Sequence, residues 1–292
     1  MENQLRLTGD EDINLIELAI SGDKEALEAL IRRHQDWIFN VALSFVADKS
    51  DAADITQEVL VKIVTKLSTF KKESNIRTWI YRIISNHFLN MKRSRYETVP
   101  MTFDQFGNSL DTIKDEDISS HHFQVEEKLL VEEAKLSCMK AMLLCLDREQ
   151  RMIFIIGELF EISDIIGAEI MEISRENFRV KLHRAKQQLY SFMDNKCGLI
   201  NTKNPCRCSR KTVSFIRMGY VDPVNLHFQK DVITTIGKAA NSKLKTFSDK
   251  ILPDYRSLYR DHPFLKSPEN LESIRQLLSS DTLRKTFDLD DG

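Results

Sequence analysis

Residues 51–95 read DAADITQEVLVKIVTKLSTFKKESNIRTWIYRIISNHFLNMKRSR, and the reading of this stretch decides the fold. Ile55, Val59, Ile63 and Leu67 recur at helical spacing and predict one apolar stripe. After a short basic loop, Ile80, Ile84, His87 and Met91 predict another. Acidic residues gather at the start of the stretch; residues 71–95 hold seven basic residues against one acidic. One small unit thus offers a polar helix face suited to a protein partner beside a surface suited to nucleic acid.

Upstream, Leu27, Leu30, Ile31, His34, Ile38, Val41, Ala42 and Phe45 step by three and four, which predicts one long amphipathic helix. Ser21-Gly22-Asp23 before it reads as a stop and restart, with Gly ending one helix and Asp capping the next. Residues 12–95 therefore predict a bundle of about four helices. Residues 96–124 lose the periodicity, carry Pro100, Gly107 and Asp115-Glu116-Asp117, and read as a flexible acidic linker. Helical spacing returns over 125–193, where Leu146-Asp147 caps a helix containing Ile153, Phe154 and Ile156. Residues 194–211 form an insert rich in Cys, Pro, Arg and Lys, and 212–292 resume helical spacing as a C-terminal extension. Gly (9) and Pro (6) are scarce and strand-like alternation is nearly absent, so the expected fold is all-α: two helical domains, a linker and a helical extension.

Within 125–193 the pattern fits a helix-turn-helix. A short helix covers 163–170, a turn covers Met171-Glu172-Ile173, and a longer helix starts at Ser174, whose hydroxyl can cap it. Phe178, Leu182, Ala185 and Leu189 give its buried seam. In such a motif the first turns of the second helix enter the major groove. Arg175, Asn177 and Arg179 are candidates for base edges, since Arg can engage guanine and Asn adenine with two bonds each. Lys181, Arg184 and Lys186 are candidates for phosphate contact. A solvated basic helix would show the same spacing.

The 292 residues suggest two or three domains. The near-neutral total of -2 conceals basic blocks around an acidic segment, a pattern of localised anion contact. Residues 1–12 are polar and acidic, no apolar run approaches the ~20 residues of a membrane span, and the five cysteines are odd in number. These features predict reduced thiols, a cytoplasmic location and no membrane insertion. No Gly-rich phosphate loop, HExxH or nucleophile signature is present, so catalysis is not expected.

Asp54-Ile55-Thr56-Gln57-Glu58-Val59, then Phe70 and Ile76-Arg77-Thr78-Trp79-Ile80-Tyr81-Arg82-Ile83, resemble region 2 of bacterial sigma factors of the extracytoplasmic-function group. Leu146-Asp147-Arg148-Glu149-Gln150-Arg151, then Ile173-Ser174 and Leu182-His183-Arg184-Ala185-Lys186, are similar to region 4 of that group. The resemblance implies a chain that binds core RNA polymerase, directs it to promoters and helps melt the DNA. It places Asp54, Gln57, Glu58 and Val61 against the polymerase. It assigns Phe70, Lys71, Lys72, Arg82, Asn86 and Arg93 to the downstream, single-stranded promoter element. Ser174 and the helix-turn-helix cations would meet the upstream duplex. The implied partners are core polymerase, double-stranded and locally melted promoter DNA, and an anti-sigma factor or other regulator. Two departures stand out: the family's usual turn glycine is Glu172, and a usual branched apolar residue in the first helix is Gly167.

From the residues alone, Phe70 either anchors its loop or stacks a base, and Trp79 reads as core. The 96–124 segment reads as a solvated tether or as an acidic mimic of nucleic acid. Cys197, Cys206 and Cys208 lie within twelve positions and could hold zinc, which wants four ligands; the fourth is missing, with His227 or a partner residue as candidates. Buried packing or thiol redox chemistry would also account for them, and no cofactor is otherwise required. A second functional class, a one-component helix-turn-helix regulator with a C-terminal sensor, leaves 51–95 without a purpose.

Overall fold

The computed structural model describes residues 10–72, 74–92, 101–224, 226 and 267. Most of the expected extension at 212–292, together with Arg93 and His227, lies outside them. The described helices are α1 (Asp10–Ile20), α2 (Lys24–Val46), α3 (Lys49–Lys66), α4 (Ile76–Asn90), α5 (Phe103–Thr112), α6 (Glu127–Leu144), α7 (Arg148–Phe154), α8 (Asp164–Met171), α9 (Arg175–Lys196) and α10 (Cys208–Arg217). No strand occurs among the described residues; one isolated bridge joins Cys197 and Cys206.

Local chemistry sets the boundaries. Gly22 takes φ 99°, and Asp23 then accepts a hydrogen bond from Ala26 N at 2.9 Å to start α2. Asp48 caps α3 by accepting from Asp51 N at 2.8 Å, and Asn75 caps α4 by accepting from Arg77 N at 2.8 Å. Such caps contribute ~1 kcal/mol each. The stripes expected on α2, α3 and α4 are buried, except that Met91 is only half-buried. Phe45 stacks on Phe88 at 4.2 Å between ring centroids, tying α2 to α4.

His34 sits in the α2 stripe at 2% exposure with neither ring nitrogen hydrogen-bonded. Burial, then the charges of Arg77 and Arg33, lower its pKa to about 3. The unfolded imidazole takes up its proton near pH 6.5 and the folded one only near 3. Stability is therefore full above 6.5 and falls as pH drops through that window. His34→Leu is expected to flatten this acid slope, which chemical denaturation at pH 4, 5, 6 and 7 would read.

Residues 12–95 and 125–193, expected as tethered domains, instead share one continuous core, with α2 against α6 and α4 against α7 and α8. Two arginines of α7 make the joint. Arg148 donates to Phe88 O, Met91 O and Lys92 O at 3.1, 2.7 and 3.2 Å, at the end of α4. Arg151, 3% exposed, donates to Phe45 O at 2.9 Å in the last turn of α2. It also donates to Leu143 O, Leu144 O and Leu146 O at 2.9, 3.3 and 3.0 Å. Helix C-termini leave carbonyls without partners, and a guanidinium with five N–H donors can satisfy several.

The segment expected as a flexible linker also departs from expectation. Thr102 and Gln105 form a capping box that starts α5, a Thr-x-x-Gln signature present in the sequence. Phe103 and Phe106 pack on Phe192 of α9 at 5.3 and 5.6 Å, and Lys196 pairs with Asp111 at 2.5 Å. Farther on, α10 holds the acidic run. Ser214 Oγ donates to Lys114 O at 2.8 Å, Glu116 N donates to Arg210 O at 2.9 Å, and Lys211 pairs with Asp115 at 2.8 Å. Arg217 pairs with Glu116. Asp111, Asp115 and Glu116 of this segment are thus matched by cations far along the chain.

Candidate protein and nucleic-acid interfaces

On α3, Asp54, Gln57 and Glu58 are exposed. Val61, expected to be exposed among them, is half-buried. Beside this face runs a groove lined by Asp51, Asp54, Glu58, Lys62, His87 and Asn90. His87 lies at its floor with its side chain 4% exposed; Lys62 Nζ is 2.6 Å from Nδ1 and Glu58 Oε2 is 3.5 Å from Nε2. Burial and then the Lys62 charge lower the His87 pKa against the opposing pull of Glu58. The neutral ring with Nδ1 accepting from the ammonium fits this geometry. The face thus keeps its carboxylates outward and its one histidine uncharged.

The loop between α3 and α4 presents Lys71 and Lys72 to solvent, with Lys72 at φ 59° and paired to Glu17. Phe70 is not held out for a base: it is 7% exposed and packs on Trp79 with ring centroids 5.6 Å apart. An apolar ring next to two lysines is covered here by the protein's own indole. Asn86 is exposed on α4. Arg82, expected beside it for single-stranded DNA, donates to Glu169 of α8 at 2.9 Å and lies 4.0 Å from Glu172. Arg93 falls outside the described residues.

The helix-turn-helix forms as α8 and α9. Ser174 caps α9, accepting from Asn177 N at 3.2 Å. Phe178, Ala185 and Leu189 are buried as expected, and Leu182 packs against the same core. The two departures have local accounts. Glu172 takes the left-handed conformation at φ 54°, ψ 39° that glycine would adopt freely, at a cost of about 1–2 kcal/mol. At Gly167 a Cβ would lie 2.4 Å from the Phe178 ring, so the missing side chain is the seat of that fully buried phenyl. Burying the ring contributes about 1.5–3 kcal/mol, more than the glycine costs in a helix.

Arg175, Asn177, Arg179 and Arg184 are exposed on α9. Their acidic neighbours were invisible as spacing. Asp164, at the start of α8, accepts from Arg175 Nε at 2.9 Å and pairs with Arg179. The Arg175 hydrogen bond, seconded by that of Arg179, holds the Asp164 carboxyl below the usual range. Lys181 pairs with Glu149 of α7. Lys186 pairs at 2.8 Å with Glu158, a 5%-exposed carboxylate in the π-helical turn Ile155–Leu159 that also accepts from Tyr190 Oη at 2.8 Å. Of the five cations expected to meet DNA, Arg184 is the one without an ion pair among the described residues.

The cysteine insert folds against α6. Cys197 ends α9, Cys206 bridges to it, and Cys208 opens α10. All five cysteines are free thiols. As the side chains stand, no three His, Cys, Asp or Glu among the described residues are arranged to hold a metal.

Comparison with known proteins bears on these surfaces. The family described as Sigma-70 region 2 matches residues 30–98, which spans α2 to α4. RNA polymerase sigma-H factor of Pseudomonas aeruginosa is 36% identical over 80 residues, 27% of this chain and 42% of that protein's length. ECF RNA polymerase sigma-E factor of Escherichia coli is 26% identical over 186 residues, covering 62% of this chain and 92% of that protein. The solved structure of CnrH in complex with the cytosolic domain of CnrY is 20% identical, covering 63% of this chain and 97% of that chain at a TM-score of 0.45. No described helix is long and apolar enough to cross a membrane. Residues 30–98 thus match Sigma-70 region 2, and over 62% of its length the chain is similar to an RNA polymerase sigma factor of the extracytoplasmic-function group.

Proposed function

We propose that this chain is a promoter-specificity subunit that acts in the cytoplasm without enzymatic activity of its own. The exposed face of α3, with Asp54, Gln57 and Glu58 outward and Val61 beneath them, is the docking surface for core RNA polymerase. Lys71, Lys72 and Asn86 line the site for the melted strand, and Arg82 joins them once released from Glu169. The α8–α9 unit enters the upstream major groove, with Arg175, Asn177 and Arg179 at base edges and Arg184, Lys181 and Lys186 at phosphates. The observation that carries the reading is the pairing of two surfaces on one core: a Ser174-capped helix with exposed arginines in its first turns, and the acidic face of α3.

The test is transcription in vitro. Core polymerase with the full chain is expected to start RNA at defined sites on a template, and core polymerase alone is not. Failure of the chain to associate with core polymerase in a pull-down would reject the reading. Within it, Arg179→Ala is expected to weaken promoter binding by ~1–3 kcal/mol and to relax preference at one base pair. Fluorescence anisotropy across promoter variants at fixed salt measures both; an unchanged preference removes Arg179 from the base-reading set.

A further inference from the structure

Glu58 and Lys62 stand one turn apart on α3, in the order that pairs a glutamate with a lysine best on a helix. In this chain they do not pair. Lys62 Nζ lies 2.6 Å from Nδ1 of His87 on α4, and Glu58 Oε2 lies 3.5 Å from Nε2 of the same ring. The imidazole is thus interposed between the two charges. Its side chain is 4% exposed and Nε2 makes no hydrogen bond, so a buried polar atom without a partner lies at the floor of the groove that Asp54, Glu58 and Lys62 line.

The ring is held in that place by what carries it. His87 falls in the last turn of α4, and Met91 N donates to its carbonyl at 2.8 Å. Phe88, the next residue, is fully buried, stacks on Phe45 of α2 and gives its carbonyl to Arg148 of α7 at 3.1 Å. Two other helices therefore fix the backbone that bears the imidazole. A neutral ring with Nδ1 bare and Nε2 protonated is the tautomer that accepts from an ammonium on one side and points N–H toward the carboxylate on the other.

The consequence falls on Glu58. A lysine paired with it would cancel its charge; with Lys62 turned to His87, the Glu58 side chain stays 65% exposed. Asp54, one turn earlier, is exposed as well. Like charges one turn apart disfavour the helix that bears them, and a cation from outside the chain relieves that repulsion. Ile55 and Met91 line the same groove and offer an apolar bed for the stem of a long basic side chain.

We propose that His87 is a positioning residue of the α3 face proposed above to meet core RNA polymerase, a reading on which its role rests: by holding Lys62 away from Glu58, it keeps Glu58 and Asp54 for a cationic side chain of the partner. His87 acts through Lys62 and does not itself touch the partner.

The test is a double-mutant cycle on the full chain, read as the Kd for core polymerase. His87→Leu removes the acceptor and lets Lys62 swing to Glu58; it is expected to weaken association about 10-fold, the low end of what close charge pairs at an interface give. In a Lys62→Met background the same substitution is expected to change association less than about twofold, because no ammonium remains to divert. His87→Asn, whose side-chain oxygen can take the place of Nδ1 as acceptor, is expected to recover most of the loss. Far-UV circular dichroism checks that the variants are folded. Equal losses with and without Lys62 would reduce the ring to a packing residue and overturn the proposal, as would no loss in either background. Independently of polymerase, long-range 1H–15N correlation on histidine-labelled chain is expected to show His87 with Nδ1 bare and Nε2 protonated; a protonated Nδ1 would overturn it too. A wild-type chain that does not associate with core polymerase rejects the docking reading and this role with it, whereas wild-type association left unaltered by His87→Leu rejects this role alone.

Discussion

Arg151→Ala is expected to destabilise the chain by about 3–5 kcal/mol. The guanidinium is the shared partner of Phe45 O, Leu143 O, Leu144 O and Leu146 O, and lies over the Phe45 ring at 4.8 Å. Removing it takes that donor from the Phe45, Leu144 and Leu146 carbonyls at about 1–3 kcal/mol each before relaxation, while Leu143 O still accepts from Leu146 N. Arg151→Lys is expected to recover a minor part, because a single ammonium cannot span the directions that the planar fork serves. Urea denaturation reads the loss as a lower midpoint at unchanged slope. A loss under about 1 kcal/mol would mean that water reaches those carbonyls and that the joint between the two halves is looser than its hydrogen bonds imply.

Phe70 carries the second prediction, because its burial changes which variant is informative. Phe70→Ala removes a ring packed on Trp79 and is expected to cost about 3–5 kcal/mol of stability, so a loss of promoter opening in that variant would be ambiguous. Phe70→Leu keeps apolar volume and is expected to cost under about 1.5 kcal/mol. If the ring also captures an unstacked base, the leucine variant keeps polymerase association while open-complex formation weakens by about 1–3 kcal/mol, the worth of one stacked base. Permanganate footprinting of the melted region and a polymerase pull-down separate the two. Wild-type opening in Phe70→Leu would reduce the residue to an anchor for its loop.

Local signals in the sequence carried the helices well. Asp23, Asp48, Asn75, Asp147 and Ser174 all cap as their residue types allow, because a cap is decided within a few residues. The stripes on α2 and α9 were equally legible, since 3.6-residue periodicity records which side faces the core. Partnership across the chain was not. Arg151 and Phe45 are 106 positions apart, and Lys211 meets the carbonyl of Ile113 across 98. No spacing rule links such pairs, so residues 12–95 and 125–193 read as separate domains and residues 96–124 as a tether. The capping box of α5 was readable from Thr102 and Gln105 but lay hidden inside an acidic run. At the candidate DNA surface the residue types were visible, whereas their carboxylate partners Asp164, Glu149 and Glu158 come from helices that fold back on α9.

Those carboxylates bear on how ionic strength should govern promoter affinity. A protein whose cations are bare displaces one condensed counterion from the duplex for each phosphate it neutralises, and log K falls with log salt at about −0.9 per phosphate. Here Arg175, Arg179, Lys181 and Lys186 arrive already neutralised by acids of their own chain. Each must leave a carboxylate to meet DNA, and the abandoned carboxylate gathers mobile cations from the buffer as the phosphate sheds them. The two exchanges oppose one another, so the ionic-strength dependence of binding is expected to be shallower than the number of basic residues on α9 implies, and to steepen when Asp164 is replaced by asparagine.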